Sequence, residues 1–169
     1  PQAVHGGAMG YVLGFNKQHR PTSRFRYMHW METKMDWDNK VNGDTFYQAA
    51  IYQGLDLAMS LVNMVRKDGK RVVGYGATSK STTILNAAGI APNILPYIYD
   101  TTPQKQGKFT PGTHIPIRPY KEFKDDDPDY VLLLIWNHAE EVLAKEQEYI
   151  AKGGKFLTHV PYVRIMDTS

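Results

Sequence analysis

Residues 71–89 read "RVVGYGATSKSTTILNAAG": two glycines follow a β-branched apolar run, and a lysine with a cluster of hydroxyl side chains follows the glycines. Such a stretch is suited to holding an anion. Gly74 and Gly76 let the backbone turn sharply and approach a ligand, with Tyr75 and Ala77 completing the turn. A helix opening near Thr78 or Ser79 presents unpaired N–H groups and a positive dipole end, for which phosphate is the natural guest. Thr78, Ser79 and Ser81 can either cap that helix or donate to phosphate oxygens, and Lys80 adds a full charge. A tight turn ahead of a capped helix would use the same residues. The dinucleotide fingerprint is incomplete, because Ser79 stands at its sixth position in place of glycine or alanine. Asp100 closes the next strand at the distance of a carboxylate that binds a ribose hydroxyl.

Two further stretches carry candidate chemistry. "DTTPQKQGKFTPGTHIPI", residues 100–117, holds Lys105, Lys108, a hydroxyl-rich turn and three prolines, and is expected to cross the strand ends as a rigid cationic lid that includes Phe109, Pro111, Gly112 and Thr113. Trp136 and Asn137 end an apolar run and offer an aromatic surface and an amide to a base or sugar. His114 and His159 fall at strand edges and His19 and His29 in polar sequence, so no metal site is expected.

These residues need a sheet to position them. Residues 71–75, 97–100, 114–117, 130–136 and 155–160 read as strands, with helices expected over about 79–88 and 138–152. Val131 to Trp136 is apolar at every position, as in a central strand covered on both faces. The expected fold is therefore α/β, a Rossmann-like open and mostly parallel sheet with flanking helices, whose ligands bind at the carboxyl ends of the strands. A long helix from about Asp44 or Thr45 to Lys67, repeating Phe46, Ala50, Leu57 and Leu61, precedes the sheet and stops at Gly69. Ahead of it lie an orphan strand near residues 4–15, a polar loop over 16–27 and a short amphipathic helix within 28–43. Residues 1–43 are expected to be the end of another domain, and 44–169 the Rossmann-like domain.

Composition narrows the classes. The 169 residues have 42% hydrophobic content, no cysteine and a net charge of +3. Disulfides and thiolate chemistry are excluded, a reducing, cytoplasmic compartment is expected, and no run is apolar enough for a membrane-spanning helix. Lys and Arg are scattered among acids, which speaks against nucleic acid as a partner.

"HGGAMGYV", "GKRVVGYGATSKSTTILN", "YDTTPQKQGKFTPGTHIPI" and "PDYVLLLIWNHAEEVLAKEQEYIAKGGKF", in this order, resemble the C-terminal domain of the S-adenosylmethionine-dependent sugar C-methyltransferases. The likeness covers residues 4–160 and is most specific over 106–117. It implies a Rossmann-like domain that helps hold a nucleotide-diphosphate keto-deoxysugar, and it brings Asn86 into the candidate site. It also implies an upstream methyl-donor domain and a zinc-binding region, so this chain is expected to bind neither S-adenosylmethionine nor zinc and to be inactive alone. His5 lies nearest the family's upstream catalytic segment, and no catalytic residue is assigned. Ala8, Gly10 and Ser81 depart from the family's usual serine, arginine and glycine. A structural subunit and an NAD-type nucleotide-binding domain remain as other readings.

Overall fold

The computed structural model describes residues 20–35, 48, 52 and 54–166. His5 and the expected strand over residues 4–15 lie outside them. The chain forms two compact units, residues 1–50 and 51–169.

In the first unit, helix α1 (Ser23–Met35) takes in residues expected to be a loop. The Thr22 hydroxyl explains the earlier start: its Oγ1 accepts from Phe25 N at 3.2 Å, capping the first turn.

The second unit opens with helix α2 (residues 54–62), which continues into a π-helical turn, Asn63–Lys67. Six strands follow: β1 (Val72–Tyr75), β2 (Ile98–Asp100), β3 (Ile117–Pro119), β4 (Tyr130–Leu133), β5 (Lys155–Thr158) and β6 (Arg164–Ile165). Their order is β3-β2-β1-β4-β5-β6, with every pair parallel except β5–β6. The α/β Rossmann-like expectation holds. Strand order reverses between β1 and β4, so the crevice for ligands in such a fold lies at the carboxyl ends of these two strands.

Side-chain alternation explains the apolar runs. Val72, Ile98, Leu132, Leu134 and Leu157 point to one face, where Leu57 and Leu61 of α2 and Leu85 of α3 (Ser79–Ala87) cover them. Val73, Tyr75, Tyr99, Val131, Leu133 and Phe156 point to the other face, against Phe123 of the 3-10 helix Tyr120–Asp125, Val142 of α4 (Ala139–Lys145) and Tyr149 of α5 (Gln147–Ala151). Burying a residue of this size is worth about 1.5–3 kcal/mol, and here both faces of each central strand gain it.

Three local expectations are corrected. The strand expected at 114–117 begins at Ile117, because His114 has a left-handed φ of 55° and Thr110 Oγ1 takes the Ile115 N–H at 2.8 Å. The single helix expected over 138–152 is two helices that break at Glu146. The strand expected to reach Trp136 ends at Leu133, and a 3-10 turn (Trp136–His138) follows. No helix among the described residues is long and apolar enough to cross a membrane.

Candidate functional site

The glycine turn joins β1 to α3 at the carboxyl ends of the strands. Gly76 has a φ of 89°, a conformation open to glycine and costly for other residues. A Cβ on Gly76 would fall 2.4 Å from Ile135 Cγ2, and one on Gly74 would fall 2.6 Å from Ile98 Cγ1. Both glycines therefore make room for the protein's own side chains.

Within the turn most backbone donors are already engaged. Gly76 N donates to Tyr99 O at 2.8 Å, and Ala77 N to Asp100 Oδ2 at 2.8 Å. Thr78 N donates to Ser81 Oγ at 2.7 Å, while Ser81 N returns to Thr78 Oγ1 at 3.2 Å, a reciprocal capping box. Ser81 is buried, so Thr78 and Ser81 serve the cap. Ser79 and Lys80 are exposed on the first turn of α3, and these are the residues through which the turn can meet an anion.

Asp100 is buried and tied to the chain. Its Oδ1 accepts from Thr102 N at 2.7 Å, and its Oδ2 accepts from Ala77 N and lies 3.4 Å from Lys105 Nζ. Lys105 Nζ also donates to Ala77 O at 2.7 Å, and Gln106 Nε2 donates to Asp100 O at 3.0 Å. Asp100, Lys105 and the glycine turn thus form one hydrogen-bonded group. Gln106 belongs with it and Ile135 packs beside Gly76, and sequence reasoning passed over both.

Beyond Gln106 the loop leaves the strand ends. Gly107 N donates to Ile117 O at 2.9 Å and Ile117 N to Lys108 O at 2.8 Å, so this segment runs antiparallel along the outer side of β3. Lys108 therefore lies level with the start of β3. Pro111 and Gly112 dock farther down, where Asn86 Nδ2 donates to Pro111 O at 3.0 Å. Asn86 is eight residues past Thr78, about 12 Å along the helix axis. Thr110 Oγ1 and Thr113 Oγ1 share a hydrogen bond at 2.7 Å that knots the hairpin, and Phe109 is exposed. Asn86, Phe109, Pro111, Gly112 and Thr113 are thus grouped with one another, apart from the glycine turn.

Trp136 and Asn137 lie in the 3-10 turn after β4, and Trp136 comes to the first turn of α3. Lys80 Nζ lies 5.1 Å from the centre of the Trp136 ring, joining the first turn of α3 to the 3-10 turn that follows β4 by a cation–π contact. Tyr75 turns its side chain to the opposite face, where its hydroxyl donates to the buried Glu146 at 2.9 Å. Burial first, then the bond to Glu146, pushes the Tyr75 phenol far above its ordinary value, so it stays a proton donor. A signal for Glu146 existed: it falls on the same stripe as Val142 and Tyr149, a charge at an apolar position. Among the described residues no group of three or more His, Asp or Glu side chains converges as a metal site would require.

A family model described as "C-methyltransferase C-terminal domain" matches residues 3–161. The chain belongs to this family. A curated relative, C-methyltransferase NovU of Streptomyces niveus, is 42% identical over 106 residues, which are 63% of this chain and 25% of that protein. The match therefore spans about a quarter of the relative's length. The family assignment agrees with the likeness read from the sequence motifs.

Proposed function

We propose that this C-methyltransferase C-terminal domain binds and orients a nucleotide-linked keto-deoxysugar, with S-adenosylmethionine held by a part of a longer protein that this chain does not cover. The observation that carries the reading is the Lys80–Trp136 pair beyond the carboxyl ends of β1 and β4, where a cation stands over one face of an aromatic ring. A diphosphate would meet Lys80 and Ser79 at the positive end of α3, and a ring would lie on Trp136. In the complete enzyme a base removes the acidic proton beside the ketone and the resulting carbanion takes the methyl group, with the zinc-binding region and a methyl-donor domain supplied from outside this chain. The cysteine-free composition is in keeping with a cytoplasmic setting.

Calorimetry with a nucleoside-diphosphate sugar tests the site. Lys80→Ala should weaken binding by about 1.5–3 kcal/mol, the worth of a charge-assisted contact, and wild-type affinity should fall with added salt. Unchanged affinity in Lys80→Ala would remove this site. The 169-residue chain alone should transfer no labelled methyl group; transfer by it would overturn the division of labour.

One observation favours a second reading, a purely structural subunit. Ile135, Asp100 and Lys105 fill the inner crevice with the protein's own side chains. Failure of any sugar nucleotide to bind would select it.

A further inference from the structure

We infer that the crevice this fold opens to dinucleotides is sealed in this chain by its own side chains, with Ile135 and Lys105 as the residues that determine this specificity. In a dinucleotide site the second glycine of the turn keeps space for the pyrophosphate, and a carboxylate at the end of the second strand takes the ribose hydroxyls. Both positions exist here, as Gly76 and Asp100. Neither is open.

The space beside the Gly76 α-carbon is taken by Ile135, whose Cγ2, Cγ1 and Cβ lie 2.4, 2.9 and 3.1 Å from where a Cβ would stand. A pyrophosphate approaching Gly76 from that side would have to displace a branched apolar side chain. At the second position, Asp100 is 6% exposed, and its two oxygens accept from Ala77 N and Thr102 N at 2.8 and 2.7 Å. Lys105 closes over it, 3.4 Å from Oδ2 and 2.7 Å from Ala77 O. A ribose hydroxyl would need this ion pair broken and would leave buried partners unsatisfied. The turn's own amides repeat the pattern, since Gly76, Ala77 and Thr78 all donate inward. Ligand contact is confined to the outer rim at Ser79, Lys80 and Trp136.

The inference stands apart from the sugar-nucleotide proposal, and calorimetry of the 169-residue chain separates the two. Wild type titrated with NAD at millimolar concentration should give no saturable binding. The double variant Lys105→Ala/Ile135→Ala, which opens both positions, should gain saturable NAD binding, at least about tenfold tighter than any interaction wild type shows. Saturable dinucleotide binding to wild type, or a folded double variant that gains none, would overturn the seal. Failure of a sugar nucleotide to bind would instead remove the functional proposal and leave this one standing. Should the double variant not fold, amide exchange decides: Lys105→Ala alone should speed exchange at Ala77 at least about tenfold, and unchanged exchange would refute the lock.

Discussion

Asp126 gathers more hydrogen bonds than any simple surface carboxylate needs. Its Oδ2 accepts from the hydroxyls of Tyr97 and Tyr99, each at 2.7 Å, and its Oδ1 pairs with the Arg71 guanidinium. Burial alone would raise this carboxyl, but the bonds from Tyr99, Tyr97 and Arg71 outweigh burial and hold it below its ordinary value. As pH falls, the unfolded chain therefore takes up this proton first. The stabilisation is complete above the unfolded value near about 4 and drains away as pH drops through the folded value. His159 adds an earlier step, because burial holds its imidazole below the ordinary 6.5 and acid favours the unfolded chain from about that pH downward. Denaturation curves from neutral pH to about pH 3 should show both steps. Asp126→Asn should flatten only the lower one and cost about 1–3 kcal/mol at neutral pH by leaving Arg71 with a weaker partner. A second test at this scale is Gly112→Ala. Its φ of 80° is left-handed, and a Cβ would stand 2.0 Å from Asn86 Oδ1. The variant should lose about 1–3 kcal/mol, and part of that loss should vanish in an Asn86→Ala background, where the collision is gone.

Among the elements, the break between α4 and α5 shows what sequence could and could not disclose. The segment "AEEVLAKEQEYIA" has helix-forming residues throughout, so local propensity reads it as one helix. The interruption at Glu146 is tertiary in origin: its carboxylate accepts from Tyr75 of β1 at 2.9 Å and from Tyr120 of the 3-10 helix at 2.7 Å. Glu146→Ala should lower the unfolding free energy by about 3 kcal/mol, since two phenols lose their acceptor, and Glu146→Gln should lose less because its amide oxygen still accepts. The α3 cap was visible in advance, because Thr78 and Ser81 have capping spacing. Thr78→Ala should cost about 1 kcal/mol in chemical denaturation. The loop after β2 was legible as a turn-rich connection and less so in its path. Nothing in a run of prolines and glycines shows that Lys105 turns inward to Ala77 O while Lys108 is carried down the outer side of β3.

At the scale of the whole molecule, the parallel sheet could be read from the uninterrupted apolar strands, because a strand buried on both faces leaves no polar alternation. The filled crevice could not. It depends on which side chains from distant segments meet at Gly76 and Asp100, and spacing along one segment does not carry that information. The margins of the sheet have a consequence of their own. The outer side of β3 is already hydrogen-bonded to residues 107 and 108, and beyond β5 the sheet ends in a two-residue antiparallel strand, Arg164–Ile165. A bare edge is a template on which another chain can continue the ladder. Here one margin is already occupied and the other ends in too few residues to recruit a neighbour. Among the described residues, neither margin therefore offers a long bare ladder on which a second molecule could continue the sheet.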